Sequence, residues 1–123
     1  MNDLLPFTVI AVTIAGGLGA VARLVLGGAI QQVVRTSFPV GTAVINISGS
    51  FLLGLVMSSA LTSAGPAWLA IAGTGFCGGF TTFSTASVDS ADMLLNRRWV
   101  AASIYAVGTG LASFAAAALG YSI

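Results

Sequence analysis

Gly75-Phe-Cys-Gly-Gly-Phe-Thr-Thr-Phe-Ser-Thr85 is the stretch that decides how this chain folds. Adjacent glycines lose much backbone entropy in a helix, and the paired threonines after them are β-branched, so the centre of the run is poor helix. Yet it lies inside a long apolar stretch, from about Ala67 to Leu95. Three similar stretches surround it: about Leu4 to Ile30, Gly41 to Leu61 and Trp99 to Tyr121. Each holds roughly the 20 mostly apolar residues that a spanning helix needs. A break inside a spanning segment frees backbone carbonyls that lipid cannot satisfy, so protein, water or an ion must do so. Such carbonyls suit a hard cation, and the N-terminus of the helix that follows favours an anion. A plain helix packed on its glycines is the other reading of the same residues.

Composition points to the bilayer as solvent. The 123 residues are 57% hydrophobic and only 6% charged, with a mean hydropathy of +1.03, where a soluble domain carries roughly 25% charged residues. The charges are Asp3, Arg23, Arg35, Asp89, Asp92, Arg97 and Arg98. Length allows one domain, expected to be a four-helix transmembrane unit over residues 1–123. A net charge of +1 with no basic patch argues against nucleic acid as a partner. Histidine is absent and Cys77 is the only cysteine. An intramolecular disulfide is therefore impossible, a Cys/His zinc site is not expected, and Ser–His or Cys–His catalysis cannot be assembled. The chain does not read as an enzyme.

The connections are Arg35-Thr-Ser-Phe-Pro39, Thr62-Ser-Ala-Gly-Pro66 and Asn96-Arg-Arg98. Pro39 and Pro66 stand just before helices, where a missing N–H costs little. Trp68, Trp99 and Tyr121 near segment ends suit the membrane interface. Met1-Asn-Asp3 lacks a positive n-region, so the first stretch is expected to be a retained helix rather than a signal peptide. Arg35, Arg97 and Arg98 fall on the side shared by the first and third connections, and Arg23 sits towards it. The positive-inside rule then puts both termini outside the cytoplasm. Gly108, Ala112, Ala116 and Gly120 recur on one face of the fourth stretch, as Gly16 and Ala20 do in the first. Small faces let helices approach closely, and helices this slim are expected to assemble into an oligomer.

Polar residues at membrane depth need a partner or a task. Thr42, Asn46 and Ser50 share a face of the second stretch, and Tyr105, Thr109 and Ser113 share one of the fourth. Both stripes read either as interhelical hydrogen bonding or as a track of donors. Phe76, Phe80 and Phe83 read as core packing, or as ring edges lining an anion path. Arg23 is open to a snorkelling reading, and Asp89 and Asp92 to marking the exit of the third helix into water.

Gly78-Gly-Phe-Thr-Thr-Phe-Ser-Thr85 followed by Asp89 resembles the signature of the bacterial fluoride channels, the Fluc or CrcB family. Gly19-Ala-Val-Ala-Arg23, Gly41-Thr with Asn46, and Tyr105 through Ser113 extend the resemblance. It implies an all-α membrane protein of the cell membrane with four transmembrane helices, the third broken at its centre, paired as an antiparallel dual-topology dimer. It further implies a structural sodium ion at the dimer interface, held by the backbone carbonyls of Gly78 and Thr81 from each subunit. Asn46, Phe83, Ser84, Tyr105, Thr109 and Ser113 would line a fluoride path, with Arg23, Thr42 and Asp89 at or near an aqueous vestibule. Asp89 stands where the family commonly has glutamate, and Ala86 where it usually has a second pore phenylalanine. The second subunit is therefore either another copy of this chain or a paired paralogue with an intact second phenylalanine, this chain then being an accessory subunit. Two other readings compete with a passive fluoride exporter. A small multidrug/proton antiporter needs a carboxylate in its first helix, and residues Leu4 to Ile30 hold none. A purely structural subunit accounts for the small faces but not for the central run.

Overall fold

The computed structural model describes residues 5–59, Ser63 and residues 65–123. Asp3, the expected segment ends at Leu4 and Leu61, and Thr62 lie outside the described residues. Helix α1 is Leu5–Val34 and α2 is Val40–Ser59. We label as α3 the helical run 65–80, which opens with Gly65–Trp68, winds as a π-helix over Leu69–Cys77 and closes with Gly78–Phe80. Helix α4 is Phe83–Leu95 and α5 is Trp99–Ser122. Among the described residues there is no strand. By length and composition α1, α2 and α5 can each cross a membrane.

Helix α1 runs past Ile30 to Val34 because Gln31 and Gln32 are good helix formers even where the apolar stretch stops. Its end is set by Arg35, whose φ of 51° is left-handed and whose N–H donates to the Gln31 carbonyl at 3.0 Å. Arg97 ends α4 in the same way, with φ 59°, and the Arg98 N–H closes back onto the Met93 carbonyl at 2.8 Å. Glycine is usual at such a position, so both turns hold arginine in a conformation that L residues adopt sparingly.

Glycines set the helix contacts. A Cβ at Gly79 would meet the Gly16 carbonyl oxygen, and one at Gly19 would meet that of Phe76, so α1 and α3 touch backbone to backbone. Helices α2 and α5 do the same, Gly54 lying against the Ala117 carbonyl and Gly120 against that of Phe51. Gly41 closes the bundle against Gly27 of α1. Of the small face expected on the last helix, Gly120 is used in this way, while Gly108 has nothing within 4 Å. Such contacts gain close van der Waals packing where no hydrophobic effect favours helix association in lipid.

Apolar side chains cover the outside: Phe7, Phe114 and Leu95 are all mostly exposed. Trp68, Trp99 and Tyr121 are exposed near helix ends, as interface anchors require. At one end the first and third connections meet, with Arg98 Nη1 donating to the Ser37 carbonyl at 3.5 Å. Gln31 ties the same end together. Its amide nitrogen donates to the carbonyls of Thr36 and Phe38, and its oxygen accepts from the Gly41 N–H in the first turn of α2.

Gly79→Val should force α1 and α3 apart and lower unfolding stability in detergent by about 1–3 kcal/mol. Gly108→Ala should leave stability unchanged or raise it by up to about 1 kcal/mol, since it removes helix entropy loss without a clash.

A polar groove and a vestibule at the junction of α3 and α4

Thr81 and Thr82 separate α3 from α4 with extended backbone, at φ −80°, ψ 157° and φ −147°, ψ 119°. Each threonine closes one helix end. The Thr81 N–H and Oγ1 both donate to the Cys77 carbonyl, each at 2.9 Å. Thr82 Oγ1 accepts from the Thr85 N–H at 3.1 Å and so caps α4. Asn46, reaching over from α2, pairs twice with the backbone of one residue, Thr82. Its Nδ2 donates to the Thr82 carbonyl at 2.9 Å, and its Oδ1 accepts from the Thr82 N–H at 2.8 Å. Arg23 is half-buried and donates from Nε to the Gly79 carbonyl at 3.2 Å. An orphan carbonyl at the end of α3 thus gives Arg23 a partner inside the protein.

These bonds account for the carbonyls of Cys77, Gly79 and Thr82. The carbonyl of Gly78 loses its helical donor, because the Thr82 N–H that would serve it is turned to Asn46. Thr81, being extended, has its carbonyl outside the helical ladder.

Two cavities flank this junction. A groove of about 650 Å³ is lined by Asn46, Ser50, Thr81, Thr82, Phe83, Ala86, Ser87, Ser90, Tyr105, Thr109 and Ser113, among others, and by no charged side chain. A vestibule of about 440 Å³ is lined by Arg23, Gln31, Thr42, Thr82, Thr85 and Asp89, among others. Thr82 belongs to both. In the groove, Tyr105 is almost wholly buried, packed edge-on against Phe38 with ring centroids 5.5 Å apart. The Ser113 Oγ is buried and forms no hydrogen bond, whereas the Tyr105 Oη faces the side chains of Thr42 and Asp89. Ser50 Oγ, in contrast, donates to the Asn46 carbonyl at 2.7 Å.

The three phenylalanines separate by role. Phe80 is buried and stacked on Phe76 at 5.6 Å, which is core packing. Phe83 lines the groove and is 86% exposed. Of the residues expected along a path, Asn46, Phe83, Tyr105, Thr109 and Ser113 come together in the groove, while Ser84 is exposed and lines neither cavity. Arg23, Thr42 and Asp89 share the vestibule. Gly78 is exposed on the face of α3, and Thr81 is half-buried at the groove. Sequence reasoning missed Ser87 and Ser90, which continue the face of Phe83 one and two turns along α4, a period of 3.6 that could have identified them. It also missed Thr82, whose position two before Ser84 and three before Thr85 is that of an N-cap.

The chain matches the family described as CrcB-like protein, Camphor Resistance (CrcB), over residues 10–121. It is 52% identical over 116 residues to the fluoride-specific ion channel FluC 1 of Leifsonia xyli, covering 94% of this chain and 85% of that one. Similarity to FluC 2 of Cutibacterium acnes is 43% over 118 residues, covering 94% and 96%. FluC 2 of Rhodococcus jostii is 39% identical over 116 residues, covering 94% and 97%.

Proposed function

Since the chain belongs to the CrcB-like family of channels and is a multi-pass membrane protein, we propose that it is a fluoride-selective channel through which fluoride leaves the cytoplasm passively. Residues 65–95 then form the third crossing in two pieces, joined at Thr81 and Thr82. The observation that carries the reading is the groove: amide, hydroxyl and ring-edge donors converge there, and no acid stands among them. Fluoride is small and holds its water tightly, so a path must replace that water with many donors. The unpaired hydroxyl of Ser113 favours this, because a buried hydroxyl without a partner costs about 1–3 kcal/mol that an accepting anion relieves. Hydrogen fluoride crosses a membrane neutral and releases fluoride inside. An inside-negative potential then expels the anion by about 2.3 kcal/mol per 100 mV, without nucleotide or proton coupling. Ser84, though outside the groove of one subunit, is kept as a candidate for the path through its exposure to a second subunit.

A sodium ion fits the break. Hard cations take oxygen ligands, and the Gly78 and Thr81 carbonyls are among those at the junction that neither the helix, Arg23 nor Asn46 engages. Gly78 is on an exposed face, so two subunits facing each other antiparallel would contribute two carbonyls each. Held there, sodium would supply positive charge between the Gly78 and Thr81 carbonyls of the two subunits.

The second subunit is a paired paralogue in the reading we favour. Ala86 lines the groove where a ring would narrow it, and Arg35, Arg97 and Arg98 gather at the one end where the first and third connections meet. Such a bias fixes orientation with the termini outside, and an antiparallel partner must then come from another polypeptide.

In liposomes holding the protein, fluoride should be released, and Asn46→Asp should reduce release by a factor approaching a thousand. A carboxylate within roughly 4 Å of an anion at an effective dielectric of 20 costs about 4 kcal/mol. Normal release from that variant would move the path elsewhere. Sodium should raise thermal stability of the unmutated protein and of Thr81→Ser, whose backbone ligand is intact. Gly78→Val should weaken that response, because its side chain would stand on the exposed face where a second subunit would bring its own carbonyls, while it meets nothing tight within its own subunit. Expressed alone, the chain should release fluoride weakly, and a paralogue with reversed arginine bias and the second phenylalanine should restore release. Full release from the single polypeptide, with its termini equally labelled from both sides, would replace the paralogue by a second copy.

A further inference from the structure

We infer that Asn46 is a positioning residue, which acts on transport by fixing the backbone of Thr82, the residue that lines both groove and vestibule. The inference rests on the channel reading and adds to it. Asn46 lines the groove, yet most of its amide is not free to donate there. Its carbonyl oxygen and one of its N–H groups are engaged by the N–H and the C=O of one residue, Thr82, at 2.8 Å and 2.9 Å. Only the second N–H of Nδ2 is left for an anion.

The pair has three effects at once. It satisfies the two backbone groups of an extended residue that has no strand beside it, which at membrane depth is a condition for that conformation to exist. It draws the Thr82 N–H away from the Gly78 carbonyl and so stops α3 from winding on through the junction. It also stands where the two cavities adjoin: Asn46 lines the groove, Thr42 one turn earlier on α2 lines the vestibule, and Thr82 lines both. Helix α2 is held in register for this by Gly49, whose missing side chain admits Thr81 Cγ2 and the Phe80 ring. A side chain on a continuous helix therefore sets the conformation of a discontinuous one.

Amide hydrogen exchange on the reconstituted protein, resolved to residue 82, tests this alongside fluoride release. The Thr82 amide of the unmutated protein should exchange at least about a hundredfold more slowly than an unstructured amide, with or without fluoride. Asn46→Ala should speed that exchange by about tenfold, the equivalent of one hydrogen bond, and reduce fluoride release in the same sample. Release that falls while Thr82 stays equally protected would overturn the inference and leave Asn46 as a direct donor only. Faster exchange with undiminished release would overturn it too. If Asn46→Ala does not fold, the unmutated protein still decides, because an unprotected Thr82 amide contradicts the pair. Should the unmutated protein release no fluoride, the channel reading fails on that result, while the exchange of Thr82 separately judges the pair.

Discussion

Everything at the centre of this protein depends on satisfying the backbone of one extended residue within a membrane-spanning bundle. Lipid cannot bond a free N–H or C=O at that depth, so a non-helical residue needs protein, water or an ion to meet both. Asn46 meets both at Thr82. The rest of the junction follows the same accounting: Thr81 turns its hydroxyl and its N–H onto Cys77, Thr82 caps α4, and Arg23 covers Gly79. The accounting leaves the carbonyls of Gly78 and Thr81 and the hydroxyl of Ser113 among the groups without a partner, and the proposed ion sites draw on these. The glycine contacts of α1 with α3 and of α2 with α5 supply the rigidity that keeps these groups in register.

Much of this was legible in the sequence because it is local. Charge scarcity gave the solvent, and Gly78-Gly79 followed by Thr81-Thr82 marked the run that resists helix formation. Spacing by four placed Asn46 and Ser50 on one face of α2, and Tyr105, Thr109 and Ser113 on one face of α5; the structure turns both faces to the same groove. Other features were hidden because they are tertiary. No pattern in one segment tells that Asn46 reaches across to the backbone of Thr82, or that Arg23 finds Gly79. Ser84 shows the limit from the other direction: it sits within the motif, yet the helix that begins at Phe83 turns it away from both cavities. The π-helical winding of Leu69–Cys77 also carries no signal in its residues, which would suit an α-helix of similar length. Ser87 and Ser90 were overlooked since α4 read as the exit of a single third helix rather than as a helix with its own inner face.

The groove also distinguishes between kinds of transport. Proton-coupled exchange needs a carboxylate on the path, and the groove lining has none; Asp89 lies in the vestibule, beyond the Asn46–Thr82 pair. A path of neutral donors can conduct an anion down its electrochemical gradient, with the membrane potential as the driving force. The most direct measurement is fluoride flux in liposomes of the protein, together with its partner subunit, at imposed potentials of either sign with the pH equal on both sides. The account predicts a flux that reverses when the potential reverses and proceeds without a proton gradient. A flux that ignores the potential, or that requires a pH difference, would contradict it.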